Sequence, residues 1–224
     1  MGSRALFRAV LALQWEARYR RASKGLPTVF LLHEGCGIDA DFEKAFARLE
    51  QPGLKVLDWG CGFGELSAQA ARWKFSVLGV DVASQAIARA KSHHWARCRF
   101  LHTDALEQDL GETFDIVVDR GFLAVLTASE IRHYFLRVRR YLRPRGYLLL
   151  KIDQMAMRRL PRIRRYLSRH FHEKDRWASS YLRADKVPRT AEFFILRKRG
   201  GLGTKNAKFL ARRATARAAR TVDR

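Results

Sequence analysis

Apolar residues cluster in the middle of the chain in short runs. Each run closes on a polar or glycine-rich turn and is followed by a segment of helical period. Lys55–Trp59, Phe75–Asp81, Cys98–His102, Phe114–Asp119 and Tyr147–Ile152 read as strands. Most are near-continuous in apolar residues rather than alternating, as in strands covered on both faces. Between them lie Ala-rich Glu65–Trp73, Ser84–Ser92 with a serine in the capping position, and amphipathic Ser129–Leu142. Pro144 and Gly146 are expected to stop the last of these helices. Strands alternating with helices predict a mostly parallel sheet with helices on both faces.

After Ile152 the pattern changes. Arg158–His170 is a basic helix. Phe171–Leu182 and Glu192–Arg197 read as two strands joined by a loop containing Pro188, forming an antiparallel hairpin at one sheet edge. The expected fold is therefore α/β: a doubly wound, mostly parallel seven-stranded sheet with an antiparallel edge hairpin. Residues 1–50 read as an N-terminal helical cap, 51–198 as the α/β domain, and 199–224 as a basic tail with almost nothing to bury, expected to be disordered. Near the start, Leu6, Val10 and Leu13 share one helical face, and no acid precedes Glu16. That pattern fits either a mitochondrial presequence or a domain helix.

Composition narrows the class. The 224 residues allow one ordinary domain plus appendages, and 47% hydrophobic content is that of a globular chain. No apolar run approaches the ~18 residues that cross a bilayer. Cys36, Cys61 and Cys98 show no paired or metal-ligand spacing, so no metal is expected and a reduced, cytoplasmic setting fits. The formal charge is +22, unevenly placed. Residues 1–139 hold 19 Lys/Arg against 16 Asp/Glu, and residues 140–224 hold 25 against 6. The basic half reads either as a solvated surface or as a contact for RNA or another polyanion.

The chemistry-bearing string is Asp58-Trp59-Gly60-Cys61-Gly62-Phe63-Gly64-Glu65. Its three glycines permit a tight turn and close approach of a ligand to the main chain. The spacing is G-x-G-x-G, not the G-x-G-x-x-G of dinucleotide sites. The flanking acids suit a cationic ligand better than a pyrophosphate. Asp81, followed by Val82, closes the second strand, where a carboxylate can accept both hydroxyls of a ribose. Asp104-Ala105 follows the third strand and suits an adenine amino group. Asp119-Arg120-Gly121 follows the fourth. All these acids fall at the carboxyl ends of strands, where ligands bind in open α/β folds.

Lys55–Glu65, Val77–Asp81, Thr103–Ala105 and Phe114–Phe122 resemble the successive motifs of class I, Rossmann-like S-adenosylmethionine-dependent methyltransferases. Tyr141-Leu-Arg-Pro-Arg-Gly-Tyr147 resembles their Leu-x-Pro-Gly-Gly stretch, with Arg145 in place of the first glycine. The resemblance covers about residues 53–152. It implies S-adenosylmethionine as cofactor, held by Asp58, Gly60, Gly62, Gly64, Asp81, Val82, Asp104, Ala105 and Asp119. Asp119-Arg120-Gly121 further resembles the thiopurine and thiol methyltransferases, which often open with a Trp-x-x-x-aromatic helix over the cofactor. Trp15-Glu-Ala-Arg-Tyr19 matches that helix. By this resemblance Trp15 contacts the cofactor, Asp119 and Arg120 are the catalytic pair, and the N-terminus is a domain helix.

The acceptor expected is a small molecule with a soft, sulfur-like nucleophile, whose thiolate Arg120 would favour electrostatically. An amine or hydroxyl acceptor would need a base, for which Asp119, His102 and His133 are the candidates. The alternative is an RNA- or protein-directed methyltransferase docking through residues 140–224. A monomer is expected.

Overall fold

A computed structural model of the protein describes residues 3–26, 38–49, 51–182 and 188–200. The predicted tail therefore lies almost entirely outside the described residues.

Seven strands form one sheet: β1 (Lys55–Trp59), β2 (Ser76–Asp81), β3 (Cys98–His102), β4 (Phe114–Arg120), β5 (Leu142–Asp153), β6 (Phe171–Leu182) and β7 (Pro188–Lys198). Their order across the sheet is β3-β2-β1-β4-β5-β7-β6. The first five strands pair in parallel, and β7 runs antiparallel to both β5 and β6. The order reverses between β1 and β4, opening a crevice at the carboxyl ends of the strands.

Helices cover both faces. Helices α5 (Glu130–Tyr141), α6 (Gln154–Met157) and α7 (Leu160–His170) bury one face around Leu57, Val117, Phe135, Leu150 and Phe171. On the other face, α2 (Ala40–Arg48) and α3 (Glu65–Arg72) pack Phe42, Phe46, Leu66 and Ala70 against Val56, Ile116, Leu149 and Phe193. Buried Lys151 at the end of β5 pairs with Asp39 at 3.1 Å and Asp41 at 2.8 Å, tying the start of α2 to the sheet. Helix α4 (Ser84–Ser92) links β2 to β3, and α1 (Ser3–Ala22) lies over α4 at the carboxyl ends of the strands. Among the described residues no helix is long and apolar enough to cross a membrane.

Three local readings change. Helix α5 ends at Tyr141 and the chain enters β5 at once, so Pro144 and Gly146 lie inside the strand at a register shift against β4. Arg145 holds φ +64°, the left-handed region that favours glycine, at the position where the resembling motif has glycine. Ser84 does not cap its own helix. The residue before it, Ala83, occupies that position, and Glu16 from α1 accepts hydrogen bonds from Ser84 Oγ (3.0 Å) and Gln85 N (3.3 Å). An acid at a helix N-terminus is favoured by the orphan N–H groups there, so a carboxylate from a distant helix serves as the cap.

Candidate active site

The site is built on the turn after β1. Gly60, Gly62 and Gly64 all have positive φ. The N–H groups of Gly60 and Cys61 donate to Val80 O, and Gly62 N donates to Asp81 Oδ2 at 3.1 Å. The turn is thus folded back against the end of β2. A side chain at Gly64 would run into Trp95 at 2.6 Å and Phe100 at 2.7 Å, so that glycine is required for packing as well as for φ. At Gly62 a Cβ would meet the Tyr19 hydroxyl at 2.9 Å.

Four acids line the carboxyl ends of the strands. Asp81 accepts from Ala83 N at 2.9 Å through Oδ1, and from Gly62 N and Tyr19 Oη (3.3 Å) through Oδ2. Burial pushes its carboxyl above the usual range, against the pull of those hydrogen bonds. Burial, helped by the Asp81 charge, also holds the Tyr19 phenol well above its ordinary value, so Tyr19 is a hydrogen-bond donor here. Asp58 lies beneath the turn and accepts from Ser67 Oγ at 2.6 Å. Burial raises it to about 6 despite Ser67 and the Arg120 charge. Asp104 accepts from Leu106 N at 3.0 Å and from Arg8 Nε at 2.7 Å. The Arg8 guanidinium, only 6% exposed, also donates to Glu130 Oε1 at 3.3 Å. Val82 is half-buried and Ala105 fully buried, flanking the gap between Asp81 and Asp104.

Asp119, one of the expected catalytic pair, is deeply enclosed. It is 0% exposed and accepts from Phe122 N (2.8 Å), Leu123 N (3.1 Å) and Tyr134 Oη (2.7 Å). Burial raises it to about 7. A carboxylate closed off this way holds the turn Phe122–Val125 in place and cannot reach an acceptor. The other two candidate bases are also engaged: His102 Nε2 lies 3.0 Å from Val82 O and His133 Nε2 lies 2.7 Å from Leu106 O. Arg120 remains. It is half-buried, its charge lowers both Asp58 and Tyr19, and among the described residues it makes no ion pair.

The N-terminal helix engages the site differently from the expectation. Trp15 packs at 5.9 Å from the Tyr19 ring, under the Arg18 guanidinium, in a cluster with Phe63, Ala83 and Ala86. The residue of the pair that touches Asp81 and approaches Gly62 is Tyr19. The apolar face of α1 is turned outward, with Leu6 62% and Leu13 70% exposed, while Arg8 and Tyr19 point inward. Sequence reasoning missed Arg8, Glu16 and Glu130. The Trp-x-x-x-Tyr spacing was the one signal that could have named Tyr19, and nothing local marks Arg8.

The residues present fit a nucleoside carrying a sulfonium. The turn lacks side chains where a ligand approaches, and the rim is acidic. Asp81 and Asp104 already bind, through Tyr19 and Arg8, the kinds of N–H and O–H donors that ribose and adenine offer. Strand order, glycine turn and acid placement together are those of the class I methyltransferase fold.

Comparison with known proteins agrees. Residues 56–146 match a family described as a methyltransferase domain. The chain is 35% identical over 104 residues to the cyclopropane-fatty-acyl-phospholipid synthase of Escherichia coli (strain K12), covering 45% of this chain and 26% of that protein. It spans between a quarter and about half the length of the curated relatives it matches. Among solved structures, a protein studied for the conversion of a disulfide bond into a thioacetal group during echinomycin biosynthesis superposes with a TM-score of 0.69 at 21% identity. That alignment covers 92% of this chain and 99% of the other. The Burkholderia thailandensis 1,6-didemethyltoxoflavin-N1-methyltransferase, solved with its substrate and S-adenosylhomocysteine, gives a TM-score of 0.66 at 20% identity, covering 89% and 92%. Residues 56–146 thus carry a methyltransferase-domain match, and the chain shares the Rossmann-like fold of S-adenosylmethionine-dependent methyltransferases.

Proposed function

We propose that this chain transfers the methyl group of S-adenosylmethionine to a small molecule bearing a soft, sulfur-like nucleophile. The observation that carries the acceptor reading is that Asp119 is buried with its oxygens held by Tyr134, Phe122 and Leu123, while half-buried Arg120 has no ion pair among the described residues. An acceptor that must lose a proton during transfer needs a base within reach. A thiol that binds as its thiolate needs only a cation to favour the anion.

When bound, the cofactor supplies an activated methyl group on a sulfonium. The protein's part is positioning and exclusion of water. Asp81 would receive the ribose hydroxyls in place of the Tyr19 phenol, and Asp104 the adenine amino group in place of Arg8. Gly62 leaves room for the amino-acid end. Asp119 fixes the Phe122–Val125 turn, which sets the direction of Arg120. Asp58 sits below the turn as a buried counter-charge for the cationic cofactor. The solved neighbour associated with disulfide-to-thioacetal conversion has sulfur at its reacting centre, in keeping with this reading. Few, unpaired cysteines support a cytoplasmic setting.

The test is transfer of labelled methyl from S-adenosylmethionine to matched panels of thiols, phenols and amines. Thiols are expected to be methylated at least tenfold faster at pH 8, with Arg120→Gln losing most of the rate. Methylation of phenols or amines alone would overturn the acceptor reading. Absence of cofactor binding in calorimetry would overturn the whole.

A further inference from the structure

The end of the sheet opposite the cofactor site carries its own charge pattern. From Ile131 to His172 there are thirteen Arg/Lys and a single acid, Asp153. Twelve of the thirteen are arginine. Folding collects the distal part of this stretch at the amino ends of the parallel strands. Helix α5 and helix α7 both run down to that end, β5 starts there, and β7 finishes there.

The contacts fix the neighbourhood. Arg139 Nη1 donates to His170 O at 3.3 Å, Arg199 Nε donates to Phe171 O at 2.8 Å, and Lys198 Nζ donates to Leu142 O. Backbone carbonyls satisfy some of these donors without cancelling any charge. Some nearby cations are matched: Arg140 by Asp109, Arg143 by Asp115, Arg164 by Glu192. Arg139, Arg145, Arg162, Arg165, Arg169, Lys198 and Arg199 have no acidic partner among the described residues. Arg162, Arg165 and Arg169 are exposed and fall three and four residues apart, along one face of α7.

The crowding costs free energy. Burial and the Arg139 and Arg169 charges hold His170 below its usual value, and burial and Arg139 do the same to Lys198. Arg145 adds backbone strain, an exposed arginine at φ +64°. Uncompensated arginines held at a cost in one place call for an anion from outside.

We infer that this basic pole — Arg139, Arg145, Arg165, Arg169 and Arg199 — docks the phosphate backbone of a nucleic acid, on the side of the protein away from the methyl-transfer site. Arginine dominates, and its planar fork suits phosphate oxygens. Helix α7 offers Arg165 and Arg169 in the half that runs down to this pole, and Arg145 extends the patch at the start of β5. A membrane surface fits less well. Helices that lie in membranes pair their basic face with inserted apolar residues. On α5 and α7 the one large exposed apolar side chain is Leu136. The described chain leaves β7 at this pole, and the sequence beyond it, residues 200–224, carries seven more Arg/Lys against one acid. The docking surface is independent of which small molecule or group accepts the methyl.

The experiment uses the full chain and a short fluorescein-labelled RNA duplex, read by anisotropy between about 50 and 200 mM salt. Binding that weakens steeply with salt is expected. The triple variant Arg145→Glu/Arg165→Glu/Arg169→Glu should bind roughly tenfold or more weakly and flatten the log–log salt slope by about two to three. A control of equal charge change at the other end, Arg20→Glu/Arg21→Glu/Lys24→Glu, should keep most of the affinity. Arg145→Gly separates binding from folding: it should raise the melting temperature by relaxing φ while lowering affinity several-fold. Equal loss in the triple variant and the control would overturn the proposal, since diffuse charge would then explain binding. No binding at the lowest salt would also overturn it. So would tighter, variant-sensitive binding to phosphatidylserine vesicles than to the duplex, which would make the pole a membrane contact.

Discussion

The two ends of this sheet are electrostatic opposites. At the carboxyl ends, Asp58, Asp81 and Asp119 are buried and pushed above the ordinary carboxylate range. At the amino ends, His170 and Lys198 are pushed below theirs by burial and neighbouring arginines. Each end gathers like charges and desolvates them, which works against folding. The difference lies in how each is relieved. The acidic end has an internal remedy: α1 lays Arg8 and Tyr19 onto Asp104 and Asp81. The basic end has only backbone carbonyls and a few matched acids. A protein that covers one strained end with its own helix, and leaves the other open to solvent, holds one site for a ligand that must displace that helix's hydrogen bonds and one surface for a partner that needs no such displacement.

The comparison can be broken first at Asp81. Replacing it with Ala removes the acceptor for the ribose hydroxyls and for Gly62 N. Hydrogen bonds to a charged group contribute ~1.5–3 kcal/mol each, so cofactor affinity should fall about a hundredfold or more by calorimetry. Unchanged affinity would mean that the acidic end does not hold the nucleoside. Next comes Arg8→Ala. It leaves Glu130 buried without its cation, and Asp104 partly so, and should destabilise the protein by about 2–3 kcal/mol. Hydrogen exchange should show α1 losing protection ahead of the sheet. If α1 stays protected, Arg8 is not what fastens it.

A third prediction sharpens the electrostatic claim. Asp58 and Asp119 titrate near 6 and 7 in the folded protein, above the ~3.9 of an unfolded carboxylate. The folded state therefore holds more protons across that window. The contribution of these two acids is full below about pH 4 and is lost progressively as pH rises from about 4 through 7, by roughly 7 kcal/mol at most if both shifts are realised in full. Denaturant unfolding against pH should show this decline, and Asp58→Asn should flatten part of it. A stability that rises with pH over this range would contradict the buried acids. The smallest effect lies at the other end: Arg145→Gly should stabilise the protein by about 0.5–1 kcal/mol, by releasing a side chain from left-handed backbone. Destabilisation would show that the Arg145 side chain holds the fold.

Much of the fold was legible because hydrophobic period and turn chemistry are local. Lys55–Trp59 and Cys98–His102 form as strands over the residues expected, and Phe171–Leu182 pairs as the edge hairpin. Where the reading slipped, a tertiary contact had overridden a local rule. Pro144 and Gly146 resemble a helix stop, yet the helix had already ended at Tyr141, its side chain buried with its hydroxyl on Ala105 O. Ser84 resembles a cap, yet Glu16 from α1 does that work. Asp119 resembles a catalytic acid because it ends a strand beside Arg120. Only the packing of Tyr134 and the Phe122–Val125 turn around it shows a structural anchor.

By itself the sequence determined the doubly wound sheet, the glycine turn with its flanking acids, and the resemblance to methyltransferase motifs, because each rests on neighbours within a few residues. The tertiary structure decided which way α1 faces. Its apolar stripe of Leu6, Val10 and Leu13 predicts the opposite orientation from the one observed. Helical period counts apolar area, but the surface under α1 is a row of buried carboxylates. Pairing them with Arg8 and Tyr19 outweighs covering three exposed side chains. The sequence also placed the positive charge in residues 140–224, without showing that α5, α7, β5 and β7 bring it to one end of the sheet. That gathering depends on strand order and on the antiparallel return of β7, which residues far apart in the chain set together.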